Sequence, residues 1–315
     1  MQHILSLSYG KDSLACLGAI KQLGLPLDRI VHAEVWATDT IPADLPPMIE
    51  FKNRADKIIK ERYGIKVEHI CALKNAREGG GKQTYEGMFY HRLQKGKFAG
   101  TIKGFPQTIG SWCKKLKFET NGVDIRRYVL QTQSEEEANT RVSDFDKQRE
   151  LVYSVETVKQ FTNRSSRERE REREREQVIQ YLGIASDEPK RIERHSQRSG
   201  VILPLVEIGW TEEMCRKWCE DNDLLSPIYT TATRGGCWFC HNQGIEQLRL
   251  LRKNYPDLWQ LLLKWDLDSP VTFKADGHTV HDFDKRFQLE DEMLIVPDAP
   301  FRWKMLDEPL QMRFF

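Results

Sequence analysis

No charge of one sign dominates this sequence: 48 Lys and Arg residues stand against 47 Asp and Glu, a formal net charge of +1. That balance excludes a global basic field for capturing nucleic acid, although a local basic groove stays open. Apolar runs are short, and none approaches the roughly 20 residues that a membrane-spanning helix requires. The opening stretch MQHILSLSYGKDS has no charged start, apolar core or small-residue cleavage site of a secretory leader. A cytoplasmic protein with no membrane association is therefore expected. Internal repeats are also missing. What remains is a chain of 315 residues, long enough for one large domain or one domain with additions.

Strands and helices alternate at the start. His3 to Leu7 is a short apolar run followed at once by turn residues and then by the apolar Leu14–Ile20, which reads as strand, tight turn, helix. Arg29–Trp36 predicts a second strand and Ile65–Ile70 a third. Between them, Met48, Phe51, Ala55, Ile58 and Ile59 recur at helical spacing after Pro46 and Pro47. Such alternation predicts an α/β fold with a Rossmann-like parallel sheet and helices on both faces. The pattern then breaks at a loop over Ala76–Lys82 and an aromatic, basic helix predicted over Tyr85–Lys103. Residues 118–177 are polar and end in strict Arg-Glu alternation from Arg167 to Glu176. On a helix this puts opposite charges at i,i+3 and like charges at i,i+4, so the gains largely cancel. A charged, helical insertion is expected there, solvated rather than binding.

The sheet pattern resumes at Val178–Gly183, with a further extended candidate at Val201–Ile208. Thr211 opens a helix with Glu212 and Glu213 in its first turn. A long helix over Gly244–Trp265, interrupted near Pro256, begins a helical C-terminal region. The expected division is a nucleotide-binding α/β domain over 1–117 and 178–235, the insertion over 118–177, and a cysteine-containing loop with helices over 236–315.

The turn after the first strand carries the chemistry. Ser8-Tyr9-Gly10-Lys11-Asp12-Ser13 offers backbone N–H groups, two hydroxyls and a cation at the start of a helix. That is where an anion is held at the carboxyl end of a parallel strand. The G-x-x-x-x-G-K-[ST] spacing of the Walker loop is absent. The hexapeptide resembles the S-x-G-K-D-S signature of the PP-loop ATP pyrophosphatases and the phosphoadenylylsulfate (PAPS) reductase family. Two further stretches are similar to that family. Ala37-Thr38-Asp39-Thr40 ends the second strand, and Gly183-Ile184-Ala185-Ser186-Asp187-Glu188-Pro189-Lys190-Arg191 matches a later G-I-x-x-D-E-x-x-R element. The resemblance covers about residues 1–117 and 178–245 and implies an adenine nucleotide α-hydrolase-like fold. It also implies ATP, with Mg²⁺, cleaved between the α- and β-phosphates to adenylate an acceptor. Ser8, Tyr9, Gly10, Lys11, Asp12 and Ser13 would hold the phosphates, and Asp39 with Thr40 would lie at the nucleoside. Lys11, Asp12 and Arg191 would serve the reaction.

Seven cysteines suit a reducing compartment rather than disulfides. Cys16 and Cys71 read as buried small residues, and Cys215 and Cys219 as helix residues packed on the sheet. Cys237-Trp238-Phe239-Cys240 brings two thiolates within reach of one metal. In the family this pair joins an earlier cysteine followed by basic residues, which Cys113 with Lys114, Lys115 and Lys117 resembles. Three such ligands imply a [4Fe–4S] cluster; a closed Zn²⁺ site would recruit Cys219 or His241 as the fourth ligand. Sulfur softness does not separate the two metals. His3, His32, His69, His91, His195, His278 and His281 show no metal-ligand spacing and read as surface or core residues.

Three functions are carried forward. The first is an ATP-dependent enzyme of the PP-loop class that transfers sulfur to a nucleobase or small molecule. The second is a sulfonucleotide (APS/PAPS) reductase, disfavoured because no cysteine follows Cys240 to act as the tail nucleophile. The third is a nucleotide-sensing or nucleic-acid-associated module, in which ATP orders the charged insertion. The acceptor and any nucleic-acid partner are not specified by these motifs.

Overall fold

The structure, a computed structural model, describes residues 1–72, 74, 81–96, 98–106, 112, 113, 116, 125, 128, 129, 178–231, 236–297 and 300–306. Nearly all of the charged stretch over 118–177, and most of the loop over Ala76–Lys82, lie outside them. The chain divides into two compact units, Met1–Thr84 with Gly110–Gly235, and Tyr85–Ile109 with Gly236–Phe315.

The first unit is built on five parallel strands: β1 (Gln2–Ser6), β2 (Arg29–Glu34), β3 (Val67–Cys71), β4 (Val178–Tyr181) and β5 (Val201–Ile202). Their order is β3-β2-β1-β4-β5. This is the Rossmann-like α/β sheet that alternating strands and helices predict. Successive side chains point to opposite faces, so each strand divides between two cores. Leu5, Ile30, Val67 and Tyr181 face one core with Leu14 and Leu17 of helix α1 (Lys11–Gln22) and Phe51 and Ile59 of helix α2 (Pro46–Tyr63). Ile4, Val31, Ile70 and Val178 face the other, beside Tyr128 and Val129. The apolar Ile4 and Leu5 of β1, and Ile30 and Val31 of β2, supply one buried residue to each face, which is why these strands are legible.

Local chemistry sets the element ends. Pro46 and Pro47 begin α2, where a missing N–H costs nothing, and Gly64 ends it at φ 70° with its N–H on the Lys60 carbonyl at 2.9 Å. Pro204 has no donor for a ladder, so the extended candidate over Val201–Ile208 stops at Ile202 and a short helix, Pro204–Glu207, follows. Thr211 caps the helix Glu212–Asp221 by accepting from the Met214 N–H at 3.3 Å.

In the second unit the helix predicted over Tyr85–Lys103 is corrected. Among the described residues of that span only Tyr85–Phe89 is helical, and Arg92 then pairs antiparallel with Ile102. Gly96 and Gly100 adopt φ of 90° and 86°, left-handed values that a right-handed helix does not contain. The long C-terminal helix is two, Ile245–Asn254 and Pro256–Asp268, divided at Pro256 as expected; Val280–Asp291 follows. Their core is aromatic: Trp238, Trp259, Trp265, Phe89, Phe105, Phe273 and Phe287 are all almost wholly buried. Trp259 donates to Asp284 at 2.7 Å and Trp265 to Glu86 at 3.3 Å, so each indole N–H finds a carboxylate.

Candidate functional site

The strand order reverses direction between β1 and β4: the chain builds outward to β2 and β3, then returns to the other side of β1 for β4 and β5. Ligands of open parallel sheets lie at such a switch point, outside the carboxyl ends of the strands. The loops that leave these two strands contain Ser8–Ser13 and Gly183–Arg191. They touch. A Cβ on Gly183 would lie 2.6 Å from the Asp12 carbonyl carbon and oxygen and from the Ser13 Cα, so only glycine fits there.

Ser13 organises the first loop. Its hydroxyl donates to the Gly10 carbonyl at 3.0 Å and accepts from the Ser8 N–H at 3.2 Å and the Ser8 hydroxyl at 3.0 Å. Gly10 caps α1 at φ −75° and ψ 156°, and no side chain caps the helix. The left-handed residue is Tyr9, at φ 56°. Its ring is fully buried, and its hydroxyl donates to Asp56 and meets His69 Nε2 at 3.1 Å. Tyr229 closes the loop from the far side, its hydroxyl accepting the Lys11 N–H at 3.0 Å.

The charges are paired. Lys11 Nζ sits 2.9 Å from both Asp12 and Glu212. Burial works against the ammonium, but hydrogen bonds to Glu212 and Asp12 more than offset it, and its pKa is raised. Burial likewise raises the Asp12 carboxyl, with Lys11 opposing and the Glu212 and Glu188 charges adding to the rise. In the second loop, Asp187 accepts the Glu212 N–H at 3.1 Å. Arg191, half exposed, pairs with Glu188 through Nη1 at 2.6 and 2.7 Å. Asp39 and Thr40 are exposed in a turn that the Thr38 hydroxyl closes by accepting from the Thr40 and Ile41 N–H groups. Lys82 donates to the Asp39 carbonyl at 2.6 Å from over the Trp36 ring.

The cysteines separate by environment. Cys16, Cys71, Cys215 and Cys219 are buried. Burial, helped by the Asp12 charge, pushes the Cys215 thiol up to about 12. Cys219 donates to the Lys11 carbonyl at 3.3 Å. Cys113, in the first unit, is exposed. Cys237 and Cys240, in the second, are half-buried on a turn closed by the Cys240 N–H on the Cys237 carbonyl at 3.0 Å. Trp238 and Phe239 anchor that turn: Trp238 stacks on Trp265 with ring centres 5.6 Å apart, and Phe239 packs at a tilt against Tyr85 with ring centres 4.2 Å apart. Lys274 holds the next residues by donating to the His241 carbonyl at 2.7 Å and the Gln243 carbonyl at 2.5 Å.

Comparison with models of protein families, with curated proteins and with solved structures finds no match. The chemistry of the site therefore rests on its own residues. Sequence reasoning missed Tyr229, Lys82 and Glu212 as partners of the loops, since each comes from a distant segment. It also missed His32 and Glu34, which alternate onto one face of β2, and His69, the register partner of His32 on β3. The available signal was the period-2 spacing of two polar residues inside an otherwise apolar strand.

Proposed function

We propose that the first unit binds an adenine nucleotide with its phosphates on Ser8–Ser13, in the manner of the PP-loop ATP pyrophosphatases and an adenine nucleotide α-hydrolase-like fold. The observation that carries this reading is the contact between Gly183 and the Asp12–Ser13 backbone at the switch point. It brings together two sequence elements, some 170 residues apart, that the resemblance assigns to one nucleotide site. In this reading Lys11 exchanges its carboxylate partners for the leaving phosphates, and the Ser8 and Ser13 hydroxyls turn from each other to phosphate oxygens. Asp12, released from Lys11, would be the residue to hold Mg²⁺, which would neutralise phosphate charge. Arg191 leaves Glu188 to meet charge that develops at the α-phosphate, which a preorganised cation stabilises. Asp39 and Thr40 lie towards the nucleoside. The outcome is adenylation of an acceptor with release of pyrophosphate. Sulfur transfer is the part of the proposal that rests on Cys113, Cys237 and Cys240, as ligands of an iron–sulfur cluster or zinc, and it rests on their sequence pattern.

Product analysis tests the reaction. Incubated with Mg²⁺, α-labelled ATP and a small-molecule or RNA fraction freed of enzymes as the source of acceptor, the protein is expected to release pyrophosphate and to leave the labelled adenylyl group on the acceptor, or as AMP once a second nucleophile displaces it. ADP and phosphate would contradict cleavage at the α-phosphate. Tight ATP binding without any cleavage would turn the reading to nucleotide sensing, and sulfite from PAPS and a thiol would turn it to reduction.

A further inference from the structure

Behind the loop, on the face of the sheet that α2 covers, lies a buried polar group formed by His32, Glu34, Lys52, Asp44, His69, Asp56 and Tyr9. Glu34 Oε1 is 3.0 Å from His69 Nδ1 and 3.5 Å from His32 Nε2. The three donor atoms lie within 4.8 Å of one another, and all three residues are buried. Ligands about 2.1 Å from one ion stand roughly 3.3 Å apart, so this set is close to the spacing that two imidazoles and a carboxylate need.

Each imidazole also carries the outer contact typical of a metal ligand. The Leu7 carbonyl, 2.7 Å from His32 Nδ1, can only accept, which puts the proton on Nδ1 and the lone pair of Nε2 towards Glu34 and Lys52. Burial and the Lys52 charge hold His32 well below its ordinary pKa, in the neutral form that ligates. Asp56 Oδ2, 2.8 Å from His69 Nε2, accepts a proton there and leaves Nδ1 for an ion. A carbonyl or carboxylate behind each ligating ring is the arrangement that orients it and raises its basicity.

A cation already stands at this place. Lys52 Nζ is 2.7 Å from His32 Nε2, 3.4 Å from Glu34 and 2.5 Å from Asp44. Within this group three carboxylates, Glu34, Asp44 and Asp56, meet one ammonium, a formal surplus of negative charge that a single lysine does not balance. Asp44 and Asp56 are its solvent-facing members, at 25% and 22% side-chain exposure, and they give an ion a way in and Lys52 a partner to retain. We propose that His32 Nε2, Glu34 and His69 Nδ1 bind a divalent first-row transition ion, which displaces the Lys52 ammonium towards Asp44. Nucleotide binding is not needed for this. Tyr9 touches Asp56 and His69, so the ion would also brace the left-handed turn of the loop.

Titration with Co²⁺, without nucleotide, tests the site in the full chain, read by visible absorption and equilibrium dialysis. In a Cys237→Ser, Cys240→Ser chain, which removes the thiolates proposed to hold a metal elsewhere, one Co²⁺ per chain is expected, with ligand-field bands of a nitrogen and oxygen set. Asp56→Asn should weaken it about 10–100-fold by loosening His69. Removing a ligand from a buried network risks the fold, so Lys52→Met is the second variant: without the competing ammonium, Co²⁺ should bind more tightly than in the wild type. In that double-serine background, affinity unmoved by both Asp56→Asn and Lys52→Met, or no Co²⁺ uptake with or without Lys52→Met, would each overturn the site.

Discussion

Tyr9 and Gly183 carry the tightest constraints on single residues. A tyrosine at φ 56° costs on the order of 1–3 kcal/mol, and its phenol offsets this through Asp56 and His69 in the buried network. The strain is therefore tied to a residue that also shapes the Ser8–Ser13 loop. Gly183 has the opposite logic: its conformation is ordinary, and space is what it lacks. The atoms an alanine methyl would meet at 2.6 Å are backbone atoms of Asp12 and Ser13, which cannot rotate away. Gly183→Ala should lower stability by about 1–3 kcal/mol through overpacking, read as a lower midpoint in urea unfolding. An unchanged midpoint would mean that the two loops are not packed as described.

At the scale of elements, the helix Glu212–Asp221 brings two side chains to the loop. Its first residue pairs with Lys11, and its Cys219 donates to the Lys11 carbonyl. Thr211→Ala removes the oxygen that accepts the Met214 N–H, at a cost of about 1 kcal/mol. The expected result is a lower urea midpoint at unchanged slope; no shift would show that the cap contributes nothing. This helix start was legible, because a capping threonine before two glutamates is a local signal. So were β1, α1, β2 and α2, whose apolar spacing and proline or glycine ends are local too. The end of β5 at Ile202 was missed because the apolar run continues through Val206 while Pro204 redirects the backbone. The segment after Phe89 was misread because its aromatic and basic residues suit a helix, and left-handed Gly96 and Gly100 overrule them. Spacing along one strand says nothing of its neighbour, so the meeting of His32 with His69 needed the β2–β3 register.

Across the whole molecule, charge balance and motif placement point the same way. A net charge of +1 provides no long-range field, so an anionic ligand must be held by local groups. Those groups all lie in the first unit, at the switch point of its sheet, and the nucleotide reading requires nothing from the second. No helix among the described residues is long and apolar enough to cross a membrane. The central claim is that a phosphate chain lies against the backbone at Gly10, and that residue allows a clean test. Its φ of −75° is open to any residue, and an added Cβ would meet only Ser8 Oγ and the Tyr229 hydroxyl, both at an ordinary 3.5 Å. Folding therefore tolerates alanine there, whereas a phosphate seated on the loop would not. Calorimetric titration of Mg–ATP into wild type and Gly10→Ala is the most direct measurement. The account predicts ATP binding to the wild type, weakened about tenfold or more in a variant that stays folded with a midpoint lowered only by the poorer N-cap, a difference in binding of about 1.4 kcal/mol or more. Equal affinity in the two proteins, or no ATP binding by the wild type, would contradict it.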